Sequence, residues 1–562
     1  MIGIGMGLTP GLGGGVPFAP LLFDRFITAR AAGAIHGTAA EPGGSDAPNR
    51  VVSDTGSKAT IADGVLTTAS GGSTNTPNLT YNKSYARLAG LVLAAKVYVG
   101  KSLSAGGQLF GWSSTSNGTT YTHRFYIEGQ SLMVLNNGTG NYPAIAGKVT
   151  PDSPLFLAVV LRATGAFFFA FGGRDFGRMS LLRVHRALTS TPLYPAWTYY
   201  SSVAGQGVDD IVIPSDTYTP ATLVSGLSVS GTINVADAGK TDVVAVAGLT
   251  RAAAEIGIIT RYADANNYVR TYHNGTNVVI EKVIAGTPAT VASVAKTYVA
   301  GADLEVIWQG TTIRVFYGAN QLNNDGYTIS DAALQTGTQV GVYSTNAGNS
   351  ISTTFECFAR GSGGEHAALK ALVVRPQDRQ LIVFDGDSLT SGQGLTTPET
   401  YPYKVLDTEG RATYDGFNLG VAGQTASDIA ADVATQIWPQ VGVWAGHTYI
   451  IWAGTNDLAN GGTAAATYTT LTSVISGARA AGFSRVVVLN MIKRTTDATL
   501  ETKRQAYNVL IAANTAGADI IVDVGGLAEF QDTTNTTYYQ GDGTHITATG
   551  STVIATAVAA AI

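Results

Sequence analysis

The sequence has few of the features that mark nucleic-acid-binding or membrane-spanning proteins. Charged residues make up 13% of its 562 residues and the net charge is only −5. Average soluble proteins carry roughly 25% charged residues. No Lys/Arg-rich run occurs, so the basic surface of a nucleic-acid-binding protein is missing. No uninterrupted apolar stretch reaches the ~18 residues of a membrane-spanning helix, and we expect neither nucleic acid nor membrane as a partner.

Cysteine is almost absent. Cys357 is the only one, which excludes a disulfide within the chain, and no Cys/His group has the spacing of a zinc site. We therefore interpret Cys357 as a small apolar strand residue, and we expect no metal and no cofactor.

The N-terminal segment 1–23 is apolar and rich in glycine. It contains no Lys or Arg before Arg25, and glycines interrupt any hydrophobic core of a leader, so a signal peptide is not expected. We interpret residues 1–23 as a docking segment. The length of the chain predicts about three to four domains.

Residues 24–360 show the pattern of short strands and tight turns. Glycine is abundant, with 68 residues, and apolar runs of strand length flank Gly-containing turns, as in β-hairpins. The pattern predicts two all-β sandwiches, 24–216 and 217–360, with corresponding hairpins. The paired runs are Arg124–Ile127 with Leu132–Leu135, Leu155–Leu161 with Ala166–Phe171, Tyr268–Tyr272 with Val278–Glu281, and Leu304–Trp308 with Thr312–Tyr317.

The opening segment Leu22–Phe26 and the Gly64–Leu66 segment carry a further resemblance. The two sandwiches resemble the concanavalin-like jelly-roll modules that are common in bacteriophage tail proteins. This resemblance implies jelly-roll sandwiches that contact glycan or serve as a structural shaft.

The pattern changes after residue 360. The Gly-rich start of 361–375 predicts a flexible linker, and apolar strands then alternate with amphipathic helices, which predicts a parallel sheet covered on both faces. We expect 376–562 to form an α/β domain that folds and hydrolyses p-nitrophenyl acetate on its own. Its predicted strands are Gln380–Phe384, Tyr414–Leu419, Thr448–Ala453, Arg485–Leu489 and Asp519–Asp523, with helices including Ala464–Ala481 and Leu500–Ala516.

Four short motifs follow predicted strand ends or lie near the C-terminus, where open α/β sheets collect functional groups. They are Gly386-Asp-Ser388, the loop holding Gly423, Gly454-Thr-Asn456-Asp, and Asp542-Gly-Thr-His545. In this order they resemble the four signature blocks of the SGNH (GDSL-like) hydrolases over roughly 380–562. The resemblance implies a flavodoxin-like, three-layer α/β fold with a five-stranded parallel sheet.

The same resemblance implies a catalytic triad of Ser388, Asp542 and His545. It also implies an oxyanion hole made of the backbone N–H groups of Ser388 and Gly423 and the side-chain amide of Asn456. The chemistry agrees, because a serine hydroxyl becomes nucleophilic only when an imidazole takes its proton, and a carboxylate orients that imidazole. Glycine at 423 permits close approach to a substrate, and a neutral amide donates without repelling an oxyanion.

Other candidate residues surround these motifs. Asp385, Asp387 and Asp457 lack a third ligand at metal spacing, and we expect them to brace loops through hydrogen bonds. Tyr538 and Tyr539 are candidates for substrate binding, by stacking on a sugar or lining an acyl pocket, although core packing is an equal alternative.

The order of the modules suggests a serine esterase that O-deacetylates a bacterial surface polysaccharide as part of a phage tail. The enzyme would sit on the virion tail and act outside cells, with an acylated polysaccharide or another ester as substrate. Homo-oligomers such as trimers, and other tail proteins, are the expected partners. Two alternatives remain open: a receptor-binding or structural tail protein that uses its SGNH-like domain for adhesion, and a secreted bacterial carbohydrate esterase with binding modules.

Overall fold

The N-terminal two-thirds of the chain folds into antiparallel strands, as the apolar runs predict. Part of the predicted docking segment (1–19) and part of the predicted linker (375–378) lie outside the described residues. The computed structural model describes residues 20–31, 33–54, 59–62, 65–68, 77–100, 107–118, 120–128, 131–136, 144–151, 153–186, 193–199, 207–318, 320–323, 325–374, 379–411, 413–442, 444–494 and 497–562.

The first sandwich contains a nine-stranded and a seven-stranded sheet. The larger sheet, which we call the central sheet, has the order β14-β13-β12-β7-β16-β1-β2 with β5 and β4 attached to β16, and the smaller has the order β11-β10-β9-β8-β15-β6-β3. Its strands are β1 Leu22–Asp24, β2 Pro42–Gly43, β3 Arg50–Ser53, β4 Ala59–Ala62, β5 Val65–Thr68, β6 Asn78–Tyr81, β7 Val92–Tyr98, β8 Gly107–Ser113, β9 Tyr121–Glu128, β10 Ser131–Asn136, β11 Ala144–Lys148, β12 Pro154–Leu161, β13 Ala166–Gly172, β14 Phe176–His185, β15 Tyr194–Tyr199 and β16 Gly207–Ile213.

The second sandwich contains an eight-stranded and a six-stranded sheet. Their orders are β17-β30-β19-β24-β25-β26, with β27 and β29 on the side, and β18-β28-β20-β21-β22-β23. The strands are β17 Thr222–Ser225, β18 Ile233–Asp237, β19 Val243–Thr250, β20 Ile256–Asp264, β21 Asn267–His273, β22 Asn277–Ile284, β23 Thr287–Ala295, β24 Asp303–Gln309, β25 Thr312–Tyr317, β26 Asn320–Gln321, β27 Tyr327–Thr328, β28 Gln339–Ser344, β29 Ser350–Ile351 and β30 Glu356–Ala359; a 3₁₀ turn covers Ala332–Leu334.

The two sandwiches share one connectivity. In each, the first strand pairs with the last, and a hairpin continues the same sheet through β12-β13 or through β24-β25. The four hairpins predicted from the sequence are all present as antiparallel pairs. The expectation that β12-β13 and β24-β25 are corresponding parts of a repeat agrees with the strand order, while the jelly-roll assignment itself stays a prediction.

The hairpin β12-β13 explains why its sequence is apolar at every position. Along β12, Leu155, Leu157 and Val159 point into the core of the first sandwich, whereas Phe156 and Ala158 belong to a core shared with the rest of the chain. Successive strand residues face opposite sides of a sheet. The central sheet is thus buried on both faces: the second sandwich and the α/β domain cover its outer side.

The C-terminal α/β domain has a five-stranded parallel sheet of order β32-β31-β33-β34-β35, the flavodoxin-like order. Its strands are β31 Gln380–Gly386, β32 Tyr414–Asn418, β33 Gly446–Trp452, β34 Arg485–Leu489 and β35 Ile520–Val522. Its helices are α2 Ser388–Ser391, α3 Tyr401–Glu409, α4 Ala426–Gln436, α5 Thr455–Ala459, α6 Ala464–Ala481, α7 Ala498–Ala513 and α8 Ala548–Ala559, with 3₁₀ turns at Thr397–Glu399, Trp438–Gln440, Val524–Gly526 and Ala528–Phe530.

Helices cover this sheet on both sides. Leu381 and Val383 of β31 pack in the same core as α4, α6 and α7, whereas Ile382 and Phe384 pack with α3 and α8. The predicted three-layer arrangement is confirmed. Among the described residues, no helix combines the length and the apolar character needed to cross a membrane.

The described part of this connection, 361–374, is packed, and this corrects the expectation of a flexible linker. It contains α1 (Ala367–Val373), whose Leu369 and Val373 are buried. Just before it, His366 is 2% exposed and contacts the Tyr218 hydroxyl and the Ala359 carbonyl through its two ring nitrogens. Leu369 and Val373 lie four positions apart, so both are on the same face of α1, and this face packs into the core.

A buried ionic network joins the first sandwich to the α/β domain. The Lys96 ammonium lies 2.7 Å from Asp415 and 2.8 Å from Asp209, and Arg379 lies 3.0 to 3.2 Å from Asp209, Asp210 and Asp415. Burial alone would raise the pKa of Asp415, but Lys96 and Arg379 hold it well below its usual range. Two cations therefore face three carboxylates across the domain boundary, and removal of either side would leave buried charges uncompensated.

Candidate functional site

Ser388 lies at the carboxyl end of β31, at the first residue of α2. Gly386, just before it, has φ +152°, and a Cβ there would lie 2.3 Å from the Trp452 carbonyl oxygen. Only glycine fits this turn. Asp387 then caps α2, because its carboxylate accepts a 2.9 Å hydrogen bond from the Leu389 N–H. The backbone thus presents Ser388 at a sharp strand-to-helix turn.

His545 and Asp542 approach Ser388 from the C-terminal loop. The His545 Nε2 lies 2.9 Å from the Ser388 Oγ, and the His545 Nδ1 lies 2.5 Å from the Asp542 Oδ2. The other oxygen of Asp542 accepts hydrogen bonds from the N–H groups of Thr544 and His545. The three predicted residues therefore form one continuous hydrogen-bonded chain across 157 sequence positions.

Asp542 stays ionised in this arrangement. Burial acts to raise its pKa, but the hydrogen bonds from His545 and Thr544 outweigh burial and lower it. The side chain is about half exposed, at 49%. A carboxylate at the Nδ1 of His545 fixes which ring nitrogen carries the proton, and it leaves the Nε2 free to accept one from Ser388.

A glutamine joins the loops on either side of the Ser388–His545 pair. The Gln540 side-chain amide donates to the Gln393 carbonyl oxygen, 2.8 Å away in the segment after α2, and to the Ile546 carbonyl oxygen at 2.8 Å. These two bonds hold the C-terminal loop against the serine loop.

Gly423 and Asn456 lie on neighbouring loops of the same sheet edge. Gly423 is exposed in the turn before α4 and has φ +85°, a conformation that favours glycine. The Asn456 amide donates a 2.9 Å hydrogen bond to the carbonyl oxygen of Gln424, the residue after Gly423. Arg494 donates to the Asn456 Oδ1 at 3.2 Å. This bond orients the amide so that its second N–H is available for a substrate oxygen.

The first sandwich reaches the loop that carries Gly423. The Arg174 guanidinium donates to the Leu419 carbonyl oxygen at 2.5 Å and to the Asp432 carboxylate. Asp432 also accepts a 2.8 Å hydrogen bond from the Gln424 side chain. One arginine of the β-sandwich therefore supports both ends of the loop 419–424, whose Gln424 carbonyl in turn holds Asn456.

A groove of about 620 Å³ lies next to the loops that carry Ser388 and Gly423, although neither of these two residues lines it. Part of its wall comes from the segments 391–395 and 418–422, and another part comes from the first sandwich. The wall contains both apolar and polar side chains. The lining includes Thr150, Pro151, Arg174, Gln393, Leu395 and Val421.

The nearby carboxylates accept hydrogen bonds, as predicted, but Asp385 joins strands β31 and β33 and does not brace a loop. Asp385 accepts from the Tyr449 hydroxyl at 2.7 Å, and Asp457 accepts from the Ala426 N–H at 2.9 Å. Burial raises the pKa of Asp385 to about 6 and that of Asp387 to about 7, against hydrogen bonds that lower both. Within the part of the chain that the structure describes, no group of His, Cys, Asp and Glu has the arrangement of a metal site.

Comparison with known proteins identifies the type of domain that carries these residues. Residues 384–553 match the model of the GDSL-like Lipase/Acylhydrolase family. The C-terminal domain thus contains a segment that is similar to the GDSL-like acylhydrolases. We refer to this domain below as the GDSL domain. No curated protein matches the chain.

Several solved structures are similar to the GDSL domain. One is a member of the lipolytic protein G-D-S-L family from Veillonella parvula, with 19% identity, 32% of this chain and 96% of that chain covered, and a TM-score of 0.29. Another is the acetylxylan esterase Axe2 from Geobacillus stearothermophilus, with 18% identity, 32% and 94% covered, and a TM-score of 0.27. A third is the esterase EstA from a Pseudoalteromonas species, with 15% identity, 32% and 93% covered, and a TM-score of 0.26.

The two tyrosines of the GDSL domain that were candidates for substrate binding pack inward. Tyr539 is fully buried, at 0% exposure, and its hydroxyl donates to the carbonyl oxygens of Lys493 and Phe530. The prediction of a substrate contact by Tyr539 is therefore corrected: it is a core residue. Tyr538 is half-buried, and its ring contacts Phe530. The contacts of Tyr538 and Tyr539 thus fit core packing, which the sequence left open as the alternative to substrate binding.

Sequence reasoning missed three residues that hold the site together: Arg174, Arg494 and Gln540. Gln540 lies two positions before Asp542, and Arg494 lies shortly beyond the end of β34, so a closer search of strand ends could have found both. Arg174 gives no such signal. It lies in another domain and resembles any other turn arginine in the sequence.

Proposed function

We propose that this protein is a serine esterase in which Ser388 is the nucleophile, His545 the general base and acid, and Asp542 the carboxylate that orients His545. The observation that carries this proposal is the hydrogen-bonded chain from Ser388 Oγ through His545 to Asp542, with contacts of 2.9 and 2.5 Å. Nucleophile, base and orienting carboxylate within hydrogen-bond reach are the geometric requirement for this chemistry.

The reaction proceeds in two steps, acylation of Ser388 and deacylation by water. His545 Nε2 takes the Ser388 proton as Oγ attacks the ester carbonyl, and the tetrahedral oxyanion is held by the N–H groups of Ser388 and Gly423 and by the Asn456 amide. When the intermediate collapses, protonated His545 gives its proton to the departing alcohol and the acyl group stays on Ser388. Water, deprotonated by His545, then attacks the acyl-serine, and the acid leaves as Ser388 regains its proton.

We further propose that the substrate is an O-acetylated polysaccharide of a bacterial surface. The groove beside Ser388, about 620 Å³ in volume, supports a large alcohol portion, because its walls come from two domains and combine apolar with polar groups. A small ester would need only the triad and the oxyanion donors. Aliphatic side chains, amides and a guanidinium together suit a sugar ring, which has apolar faces and polar edges.

The module order supports a place on a phage tail. Two β-sandwiches of one connectivity precede the esterase, and a glycine-rich segment precedes them. In this proposal the segment docks to the other tail proteins, in a trimer or another homo-oligomer, the sandwiches form a shaft or contact glycan, and the enzyme acts outside the cell. Adhesion without hydrolysis, and secretion by a bacterium, are the competing arrangements.

The substitution Ser388→Ala in the full-length chain tests the enzymatic proposal. Acetate release from host surface polysaccharide and hydrolysis of p-nitrophenyl acetate are measured for wild type, Ser388→Ala and the control Ser473→Ala, which changes an exposed serine of α6. We expect hydrolysis to vanish in Ser388→Ala alone, while polysaccharide binding and melting temperature stay at the wild-type values.

Two results would contradict this proposal. Activity of Ser388→Ala near the wild-type level would remove Ser388 from the mechanism. Binding of the polysaccharide by wild type and Ser388→Ala without acetate release by either would favour adhesion as the function.

A further inference from the structure

A second cavity continues the groove beside Ser388. Its volume is about 390 Å³, and it shares Arg174, Asp175 and Gln436 with the groove. Because these lining residues are common to both, the two cavities are adjacent, and we call the pair the trough and the second cavity its far end. The trough is lined by loops of the GDSL domain and by residues of both sandwiches.

All three domains line the far end of this trough. The first sandwich contributes Arg178, the second contributes Gln309 and Arg360, and the GDSL domain contributes Thr435 and Pro439. A cavity at the junction of domains is a common place for ligand binding. The packed connection through α1 and the shared core hold these walls together without a ligand.

The far end carries more positive than negative charge. Three arginines line it, Arg174, Arg178 and Arg360, against one carboxylate, Asp175. Arg174 is already neutralised by Asp432. Arg178 is exposed, and no carboxylate of the described residues forms an ion pair with it. Asp242 and Asp175 both act electrostatically on Arg360, so Arg178 is the lining arginine that has no ion pair with a described carboxylate.

Arg360 is an arginine with unused hydrogen-bonding capacity. It is 1% exposed and donates to the Leu181 carbonyl at 2.5 Å and to the Gln309 side chain at 3.2 Å. Its Nε donates to no other residue within the described part of the chain. Burial and neighbouring Arg314 lower its pKa to about 9, so it stays charged at neutral pH. A buried cationic donor without a partner is costly unless a ligand or water satisfies it.

We propose that this cavity binds the carboxylate of an acidic sugar unit in the same polysaccharide chain whose ester is held at Ser388. The inference rests on the proposed esterase function and narrows its substrate to O-acetylated acidic polysaccharides. Guanidinium groups suit this role, because they bind carboxylates through two parallel N–H···O bonds. Arg178, exposed at the rim, would meet the carboxylate first, with Arg360 behind it.

The test compares two chemically O-acetylated polymers, polygalacturonate and xylan, as substrates of the full-length protein. Random chemical acetylation offers esters at many positions in both, and polygalacturonate carries a carboxylate on each sugar unit whereas the xylan backbone carries none; the loss of preference in Arg178→Glu then isolates the contribution of the carboxylate. We expect wild type to favour the acidic polymer in kcat/KM by tenfold or more. In Arg178→Glu this preference should disappear through a higher KM for the acidic polymer, and p-nitrophenyl acetate hydrolysis reports the amount of working enzyme.

Arg479→Glu is the matched control. It makes the same charge change at an arginine that pairs with Asp519 next to the start of β34, at the edge of the sheet opposite the catalytic loops. We expect it to keep the preference for the acidic polymer. Equal kcat/KM for both polymers in wild type, or a preference that survives Arg178→Glu, would overturn the inference and leave the esterase function standing.

Failure of the esterase function itself gives a different result. If neither polymer nor p-nitrophenyl acetate is hydrolysed, binding of galacturonate oligosaccharides to Ser388→Ala still tests whether the cavity binds a carboxylate. Binding that weakens about tenfold with Arg178→Glu and not with Arg479→Glu would support the carboxylate site. Binding that does not respond to Arg178→Glu would reject it.

Discussion

Arg174 and Asp432 lie 258 positions apart in the sequence, yet the guanidinium of the first donates to the carboxylate of the second across the boundary between the first sandwich and the GDSL domain. The same guanidinium also holds the Leu419 carbonyl oxygen. Through Asp432 and Gln424 it supports the loop with Gly423. The first sandwich therefore supports one loop of the candidate site directly.

The first prediction concerns this support. Arg174→Met keeps the aliphatic stem but removes the donors to Leu419 and Asp432, and the loop carrying Gly423 should lose its fixed position. Since oxyanion donors act mainly in the transition state, we expect kcat for p-nitrophenyl acetate to fall roughly tenfold to a hundredfold with little change in KM.

Arg162→Met is the control for this change. Arg162 also joins two domains, through two 2.9 Å contacts with Glu356 of the second sandwich. It should affect the melting temperature without a fall in kcat. Equal kinetic losses in both variants would mean that Arg174 contributes only to general stability.

The second prediction concerns Asn456. Asn456→Ala removes a proposed oxyanion donor and the hydrogen bond to the Gln424 carbonyl, so kcat should fall by roughly a hundredfold or more with KM nearly unchanged. Asn456→Asp should be at least as damaging, because a carboxylate repels the oxyanion. Steady-state kinetics of the two variants beside Asn460→Ala, at the exposed end of α5, provide the measurement. A change confined to KM would place Asn456 in ground-state binding.

The third prediction concerns pH and Asp387, whose pKa burial raises to about 7. An unfolded Asp ionises near pH ~3.9, so the folded state holds a proton that the unfolded state has released between about pH 4 and pH 7. Stability is therefore lost as the pH rises through this window and levels off above it. Asp387→Asn keeps the cap on α2 but cannot ionise. The melting temperature of this variant should therefore rise relative to that of wild type as the pH increases from 4 to 7.5.

Asp519→Asn is the matched control, and its melting temperature should fall relative to that of wild type as the pH increases. Hydrogen bonds from Arg479 and from the Val486 N–H outweigh burial and lower the pKa of Asp519, so its stabilising effect is present at neutral pH and is lost as the pH falls. The variant should be slightly less stable than wild type at pH 7 and close to it at low pH. If the melting temperatures of wild type and Asp387→Asn change with pH in parallel, Asp387 is ionised in the folded state over this range, and the third prediction is contradicted.

The fourth prediction reverses an expectation from the sequence. The fragment 376–562 contains every strand of the parallel sheet, but without the sandwiches it leaves Arg379 and Asp415 without Lys96 and exposes Phe417 and its apolar neighbours. We expect it to aggregate or to melt well below the chain 20–562. A monomeric fragment with the melting temperature and p-nitrophenyl acetate activity of the full chain would contradict this.

The sequence alone located most secondary structure and the residues of the triad. The helix predicted at Ala464–Ala481 has the same bounds in the structure, and the hairpins pair as expected, because periodicity and turn residues are local properties of the chain. The helix predicted at Leu500–Ala516 instead spans Ala498–Ala513. Asp497 caps its start, and Asn514 ends it with φ +49°. Such ends depend on single capping contacts.

The local sequence determined which strands and helices form and that three of the four motifs lie at one sheet edge, because the carboxyl ends of parallel strands share an edge in any such fold. The fourth motif, Asp542–His545, reaches Ser388 from the C-terminal loop. Tertiary structure alone decided that Tyr539 is buried, that Leu369 anchors the predicted linker, and that Arg174 supports the loop of Gly423. Each of these outcomes depends on residues that are distant in sequence. The apolar run Leu155–Leu161 shows the limit: its pattern indicates burial on both faces, but which domain covers the second face is decided only when the chain packs.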